Sequence, residues 1–125
     1  KSGDDINAID WNLKSLHQDV MAYTSALIRM RKEHPAFRMY TAEQVAKYIK
    51  FEENIEPGTV IYTIDGKAMG DSWQKIRISF NGSNEEKNLS IPAGNWHSFL
   101  PGKIDRPVVQ GKIILAPYSA AILYQ

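Results

Sequence analysis

Acidic side chains are the first candidates for chemistry in this sequence, because carboxylates can act as general acids, bases and nucleophiles. Hydrolysis by a pair of carboxylates requires two such groups about 5 Å apart when configuration is retained, and a wider gap when it is inverted. The acidic pairs here fall instead in predicted turns and tails: Asp4-Asp5, Glu52-Glu53 and Glu85-Glu86. Because turns favour such residues, the sequence shows no catalytic carboxylate pair.

Other patterns for catalysis or metal binding are also missing from the sequence. It contains no Gly-x-Ser-x-Gly motif and no glycine-rich phosphate loop, which are common settings for nucleophiles and phosphates. The three histidines, His17, His34 and His97, are scattered and there is no cysteine, whereas a metal site needs clustered ligands. His34 precedes a proline, and we expect it to be a C-terminal helix cap. We therefore predict no catalytic residue, no metal and no cofactor.

The N-terminal loop, residues 1–14, carries the candidate binding residues Asn7, Asp10 and Trp11. Polar groups beside a tryptophan can hold a sugar by hydrogen bonding and ring stacking. The alternative is a lead-in to a helix, in which Ile6, Ile9 and Trp11 anchor the loop to the body of the protein. The spacing alone favours this second interpretation, because loops commonly have such a composition.

Two further tryptophans are candidates for a sugar-stacking platform. Trp73 ends the loop Gly70-Asp71-Ser72-Trp73, and Trp96 follows a predicted turn. Large aromatic side chains dominate core packing, however. We therefore expect each of them to pack across the edge of a sandwich.

A long amphipathic helix must position the N-terminal loop. Its apolar residues recur at three- and four-residue steps and so share one stripe: Val20, Tyr23, Leu27 and Met30. Ser15 and Gln18, three residues apart, predict a capping box at its start. Pro35 predicts its end at His34, because a proline disfavours helical geometry in the residue before it.

The apolar stripe of this helix has no helical partner in the sequence, because no comparable helix follows. A sheet must therefore cover it, either the one predicted downstream or one outside this sequence. The polar start at Lys1, without a methionine, suggests a piece of a larger protein. In the chain by itself, we expect the stripe to fold back on the sheet or to mediate self-association.

The rest of the sequence is mainly β. Thr41 with Gln44 predicts a capping box for a helix of about two turns, followed by a short strand at 49–51. From residue 59 the apolar period changes from 3.6 to 2. Strands are predicted at 60–65, 76–81, 89–91, 96–100, 108–109, 113–116 and 120–124. Short strands separated by turns such as Asn81-Gly82 favour an antiparallel sandwich.

The composition excludes several classes of protein. A hydrophobic content of 43% with 23% charged residues is typical of a soluble globular domain and argues against disorder. Fifteen basic and fourteen acidic residues leave a formal charge of +1, which does not indicate a nucleic-acid or membrane partner. No apolar run approaches the length of a membrane span.

Several stretches in order resemble the C-terminal part of type I pullulanases, starch-debranching members of the α-amylase superfamily of glycoside hydrolases. They are DDINAIDW at 4–11, LIRMRKEHPAFRM at 27–39, GDSW at 70–73, PAGNW at 92–96 and PYSAAILY at 117–124. The helix with its HPAFRM exit is the most specific of these stretches. Each motif alone is weak, but their order and spacing make the resemblance specific.

The resemblance implies a division of the chain between residues 39 and 40. Residues 1–39 would be the last loop and last helix of a truncated (β/α)8 barrel, with the loop on its catalytic face. Residues 40–125 would be a C-terminal antiparallel β-sandwich of the amylase C-terminal type. The expected fold class is therefore mainly β with an N-terminal helix.

The resemblance also implies a function for the parent protein. Such an enzyme hydrolyses α-1,6-glucosidic links in pullulan, starch or glycogen, with α-glucan as its partner. Its carboxylates come from earlier strands, so this chain would be structural and non-catalytic, with Asn7, Asp10 and Trp11 bordering the substrate groove. Two alternatives stay open: a carbohydrate-binding module for α-glucan that uses Trp73 or Trp96, and a protein interaction domain.

Overall fold

The computed structural model describes residues 3–53, 55–99, 106–107 and 111–125. Its α-helices are α1 (Asp4–Asn7), α2 (Leu13–Leu16), α3 (Gln18–Glu33) and α4 (Ala42–Tyr48). Short 3₁₀ helices cover Pro35–Phe37 and Lys67–Met69. The strands are β1 (Ile49–Phe51), β2 (Thr59–Asp65), β3 (Lys75–Asn81), β4 (Lys87–Ser90), β5 (His97–Phe99), β6 (Arg106–Pro107), β7 (Lys112–Leu115) and β8 (Ser119–Tyr124).

Helix α3 ends as predicted but begins differently. At its C-terminus the His34 N–H donates to the Met30 carbonyl oxygen at 2.9 Å, and Pro35 starts the following 3₁₀ helix. The predicted capping box at its start is wrong. Ser15 lies in α2, where its hydroxyl donates to the Asn12 carbonyl oxygen at 2.8 Å, and α3 begins after His17 without a side-chain cap.

The apolar stripe of α3 is covered at one end of the helix. Ala26 and Met30 are buried, whereas Val20 and Tyr23 are 57% and 52% exposed. The expectation that the stripe folds back on the sheet is therefore wrong. The physical reason is that the segment after the helix packs on the sheet through Ala36, so the last turns of α3 reach the β-domain and the first turns do not.

Helix α4 confirms its predicted capping box. The Thr41 hydroxyl oxygen accepts from the Gln44 N–H at 3.2 Å, and the Gln44 amide oxygen accepts from the Thr41 N–H at 3.4 Å. This arrangement satisfies N–H groups that the first turn of a helix leaves without partners. The chain passes directly from α4 into β1, as the sequence predicts.

Two antiparallel sheets form the β-domain. The larger has six strands in the order β1-β2-β3-β8-β5-β6, and β4 pairs with β7 in the smaller. In the larger sheet Ile64 lies opposite Ile76, which lies opposite Tyr124. The predicted fold class, mainly β and antiparallel with an N-terminal helix, is confirmed. The predicted strand positions 100 and 108–109 lie outside the described residues.

The two faces of the larger sheet form separate cores. On the face towards the 35–39 segment, a cluster joins Ala36, Ile64, Ile76 and Ile78. On the opposite face, clusters between the sheets join Ile61, Leu89 and Leu115, and Ile91, Trp96 and Leu123. Full burial of one such aliphatic side chain contributes about 1.5–3 kcal/mol, so these clusters are the main source of stability of the sandwich.

The Asn81-Gly82 turn does not close a hairpin between β3 and β4. Strand β3 pairs with β2 and β8, and Asn81 is buried. Its side-chain amide donates to the carbonyl oxygens of Glu85 and Ala116, and its amide oxygen accepts from the Ser83 N–H. Asn81 thus ties the loop after β3 to the loop before β8.

Helices α1 to α4 are too short or too polar to cross a membrane. This holds for the part of the chain that the structure describes.

Candidate functional site

The N-terminal candidate residues lie around an open groove between α2 and α3. The groove has a volume of about 500 Å³. Trp11 forms one wall and is 75% exposed. The other walls come from α2 and α3: Lys14, Ser15, Gln18, Met21, Ala22 and Ser25.

Local hydrogen bonds set the position of the loop that carries Trp11. The Asp10 carboxylate oxygen Oδ1 accepts from the Asn12 N–H at 3.0 Å, which is an Asx turn that starts α2. The side-chain amide of Asn7 donates to the Gly3 carbonyl oxygen at 3.2 Å. Of the three predicted binding residues, Trp11 lines the groove, whereas Asn7 and Asp10 are exposed outside its lining.

The groove offers groups that could bind a ligand. An exposed indole stands beside the polar groups of Ser15 and Gln18 and the apolar surface of Met21. Ring stacking together with a few hydrogen bonds suits a sugar. The described residues that line the groove include no carboxylate.

A second cluster joins the end of α3 to the loop between β2 and β3, and we call it the His34–Asp71 junction. Nδ1 of His34 lies 2.7 Å from Oδ1 of Asp71. The N–H of Ala36 donates to Oδ2 at 3.0 Å, and the N–H of Trp73 donates to Oδ1 at 2.9 Å. His34 and Asp71 are each 8% exposed, so the junction is a buried and hydrogen-bonded contact between two segments.

The loop geometry brings Asp71 into this position. Its N–H donates to the Gly66 carbonyl oxygen at 2.9 Å. A Cβ atom at Gly66 would collide with the carbonyl oxygen of Trp73, so the close approach of these two backbone segments requires glycine.

The electrostatics of Asp71 follow from its three donors. Burial by itself raises the pKa of the Asp71 carboxyl group, because it disfavours the charged form. The hydrogen bonds from His34, Ala36 and Trp73, together with the charge interaction with His34, outweigh this effect and lower the pKa below its usual value. The carboxylate is therefore held ionised with its hydrogen-bonding capacity in use, which indicates a structural role.

An aromatic stack extends the junction across the sheet. The Trp73 ring lies between His34, at a centroid distance of 3.7 Å, and Tyr124, at 4.0 Å. His97 stacks on the far side of Tyr124 at 5.5 Å. Both faces of Trp73 are thus covered by rings, and neither is left for a sugar.

Trp96 is also a packing residue. It is 4% exposed, its indole N–H donates to the Pro92 carbonyl oxygen at 2.8 Å, and it clusters with Ile91 and Leu123. The expectation that Trp73 and Trp96 are packing residues is confirmed: Trp73 is partly buried between rings, and Trp96 is buried.

Sequence reasoning missed the His34–Asp71 junction although both of its halves were recognised as motifs. The signals are His34-Pro35 at a helix end and Gly70-Asp71-Ser72-Trp73 after a strand. Taken separately, the first predicts a helix cap and the second a loop, and neither indicates the other as its partner. Within the described ranges, no three His, Cys, Asp or Glu residues come together as a metal site.

Comparison with known proteins identifies the β-domain. Residues 45–103 match the family model "Pullulanase, all-beta domain". This part of the chain resembles the pullulanase all-beta domain. The match begins within α4 and continues past β5, so it covers strands of both sheets. The predicted resemblance to pullulanases is confirmed.

The likeness to solved pullulanases extends to the N-terminal helix. The pullulanase from Bacillus acidopullulyticus has a TM-score of 0.88 and 32% sequence identity, over 98% of this chain and 16% of that chain. The pullulanase complexed with maltotriose from Anoxybacillus sp. LM18-11 has a TM-score of 0.84 and 28% identity, over 99% of this chain and 17% of that chain.

A curated relative gives the same result. The pullulanase of Bacillus subtilis (strain 168) is 25% identical over 92 residues, which are 74% of this chain and 13% of that protein. The chain therefore spans less than a fifth of the length of each of these relatives.

Proposed function

We propose that this chain is the structural, non-catalytic end of a pullulanase-type debranching enzyme that hydrolyses α-1,6-glucosidic links in pullulan, starch or glycogen. The likeness to the Bacillus acidopullulyticus pullulanase over 98% of the chain, helix α3 included, carries this proposal. It is consistent with the candidate groove, because none of its lining residues in the described part of the chain is a carboxylate.

In this proposal the chain divides between residues 39 and 40. Residues 1–39 are the last loop and helix of a (β/α)8 barrel, and residues 40–125 are the sandwich that follows it. The exposure of Val20 and Tyr23 on α3 supports this division, because an apolar helix stripe is stable in water only when something covers it. The outer helices of such a barrel cover its strands in this way.

The structural role follows from the way the two parts are joined. The His34–Asp71 junction fixes the end of α3 to the β2–β3 loop through two hydrogen bonds to one carboxylate, from His34 and from Ala36. A helix that belongs to the barrel would thereby be attached to the sandwich at a defined angle. The sandwich would hold the last helix in place and shield its end from water.

We further propose that Asn7, Asp10 and Trp11 border the groove in which the enzyme holds its α-glucan. The exposed Trp11 ring and the neighbouring polar groups support this. One of the similar solved pullulanases is complexed with maltotriose, a short α-glucan of the kind that such a groove would take.

The function is tested by assaying pullulan hydrolysis. The full-length protein should release reducing ends from pullulan, and the 125-residue chain alone should be inactive. Hydrolysis by the isolated chain would contradict the non-catalytic role, and a full-length protein that is folded but does not cleave pullulan would contradict the proposed activity.

The binding residues are tested one at a time in the full-length enzyme by Asn7→Ala, Asp10→Ala and Trp11→Ala. We expect each to raise KM for pullulan or to lower kcat, with the largest effect at Trp11, because it is the residue that lines the groove. Tyr40→Ala is the matched control, since Tyr40 is an aromatic residue that is 84% exposed and lies outside the groove. If KM and kcat were unchanged in all three variants, these residues would not border the substrate groove.

A further inference from the structure

The Asn81-Gly82 pair at the end of β3 has no part in the proposed function, although its asparagine is almost fully buried. Asn81 is 2% exposed. Its Nδ2 atom donates to the carbonyl oxygens of Glu85 at 2.7 Å and Ala116 at 2.9 Å. Its Oδ1 atom accepts from the N–H and from the hydroxyl of Ser83 at 3.0 and 2.7 Å. Both hydrogens of the amide and both lone pairs of its oxygen are therefore in use.

The same pair of residues can undergo an intramolecular reaction that converts the amide into an acid. Once the Gly82 nitrogen has lost its proton to solvent, it can attack Cγ of Asn81. A bond forms between these two atoms, the Cγ–Nδ2 bond breaks, and Nδ2 takes a proton from solvent and leaves as ammonia. Water then opens the cyclic imide and gives aspartate or isoaspartate, so water is the only co-reactant. Glycine favours this attack because it has no Cβ to obstruct it.

The fold keeps these two atoms from reacting. The Gly82 N–H donates to the Gly58 carbonyl oxygen at 2.8 Å, so the proton that must leave is held in a hydrogen bond. Asn81 is paired on both sides of its strand, with Thr59 in β2 and with Ser119 in β8. Closing the imide ring would turn the peptide plane between residues 81 and 82 out of the strand. The reaction therefore requires that this end of β3 opens first.

The products of this reaction do not fit the folded site. In aspartate, a carboxylate oxygen would stand in the place of Nδ2, 2.7 and 2.9 Å from the carbonyl oxygens of Glu85 and Ala116. These acceptors would then face one another without a hydrogen between them, and burying such a charge is costly. In isoaspartate, an additional carbon enters the main chain at a position that pairs with two neighbouring strands. Either product would break the tie between the loop after β3 and the loop before β8.

We propose that Asn81 is a fold-protected deamidation site, at which folding prevents the reaction and the reaction prevents refolding. While the sandwich is folded, the rate is limited by the small fraction of molecules in which the end of β3 is open. In an unfolded molecule nothing holds either reacting atom. Time spent unfolded therefore converts the protein into a form that does not return, and loss of the sandwich becomes irreversible through chemistry at one residue. This inference does not depend on the proposed debranching activity.

The first test compares the rate of conversion in the native full-length protein with the rate in guanidinium chloride, at the same mildly alkaline pH. Trypsin releases residues 78–87 as one peptide, which contains Asn81 and the exposed Asn84, and mass spectrometry follows both. We expect Asn81 to convert about 1,000-fold more slowly in the native protein, because the unfolded fraction is about 10⁻³ or less. Asn84 precedes a glutamate and should convert slowly in both. Equal rates at Asn81 would overturn the proposed protection.

The second test asks whether converted molecules refold. Full-length protein is held in denaturant until part of its Asn81 has converted, and the denaturant is then diluted. Brief treatment with trypsin releases the 78–87 peptide from molecules in which β3 is unfolded, because Arg77 is buried in the folded strand. We expect the released peptide to be enriched in the converted form and the resistant protein to retain Asn81. The same proportion of converted residue in both fractions would overturn the claim that the reaction prevents refolding.

Three variants decide the question even if the wild type does not refold from denaturant. Asn81→Asp reproduces one product and should lower the denaturant concentration at which trypsin releases the 78–87 peptide, or prevent folding. Asn84→Asp makes the same change in charge at an exposed position and should behave like the wild type. Gly82→Ala should fold normally, because a Cβ there would only contact the Gly58 carbonyl oxygen at 3.6 Å, and it should slow the conversion of Asn81 in denaturant. Wild-type behaviour of Asn81→Asp, or conversion at the wild-type rate in Gly82→Ala, would overturn the proposal.

Discussion

The two ends of helix α3 differ in what holds them. At the C-terminal end Met30 is buried, and the His34–Asp71 junction attaches the following residues to the β2–β3 loop. At the N-terminal end Met21 is 46% exposed and Val20 is 57% exposed. The difference shows that, among the described residues, a packing partner covers the C-terminal end of α3 and leaves the N-terminal end exposed.

The largest expected effect comes from removing the carboxylate of the junction. Asp71→Ala leaves the donors of His34, Ala36 and Trp73 without their acceptor in a buried site, and we expect it to lower the free energy of unfolding by about 3 kcal/mol. Denaturant unfolding measures this loss. Asp65→Ala is the control, because it removes an exposed carboxylate with one backbone hydrogen bond, and it should cost at most about 1 kcal/mol. Equal losses in the two variants would show that the junction stabilises the protein no more than an exposed carboxylate does.

A methionine pair on the same helix tests the comparison with one type of side chain. In the 125-residue chain, Met30→Ala should cost about 2–3 kcal/mol because it opens a cavity at a buried position. Met21→Ala should cost less than about 0.5 kcal/mol because Met21 is half exposed. In the full-length protein the cost at Met21 should rise. An equal loss of stability for Met30→Ala and Met21→Ala in the isolated chain would show that the two ends of α3 are packed to the same extent.

The acid dependence of stability should report on Asp71. Its pKa in the folded state lies below the usual value near 3.8, so the unfolded state binds this proton more tightly. The stabilisation is present above that usual value and is lost as pH falls through the depressed folded pKa. Asp71→Asn should weaken this acid dependence in urea unfolding curves. If the variant kept the full wild-type dependence between pH 2 and 5, a range around the usual aspartate value, other carboxyl groups would be responsible.

The smallest effect should be on association. In the isolated chain the exposed half of the stripe provides an apolar surface, and we expect weak self-association that sedimentation velocity detects at high concentration. Val20→Asn/Tyr23→Asn should reduce it with little effect on folding, since both residues are more than half exposed. If the double variant associated as strongly as the wild type, the exposed half of the stripe would not be the surface that mediates association.

Local signals made part of this structure predictable from the sequence. The end of α3 at His34-Pro35 and the capping box of Thr41 and Gln44 depend on neighbouring residues, and both predictions are confirmed. The capping box predicted at Ser15 is wrong because a competing local signal, the Asx turn of Asp10, starts the separate helix α2 and places Ser15 inside it.

Contacts between distant segments could not be predicted in the same way. His34 and Asp71 are 37 residues apart, and they meet only because the pairing of β2 with β3 folds the intervening loop towards the end of α3. Of the predicted binding residues, Trp11 could be recognised as a candidate because an exposed tryptophan can stack on a sugar. The groove that it lines could not be predicted, because it depends on how α2 and α3 lie relative to each other.

Hydrogen exchange along α3 is the most direct test of the claim that this helix is anchored at one end and covered by another part of a larger protein at the other. In the monomeric 125-residue chain, we predict that amides at 30–34 exchange slowly and that amides at 19–25 exchange rapidly. In the full-length protein both groups should be protected. Equal protection along the whole helix in the isolated monomer would contradict the account, because the chain would then supply both partners itself.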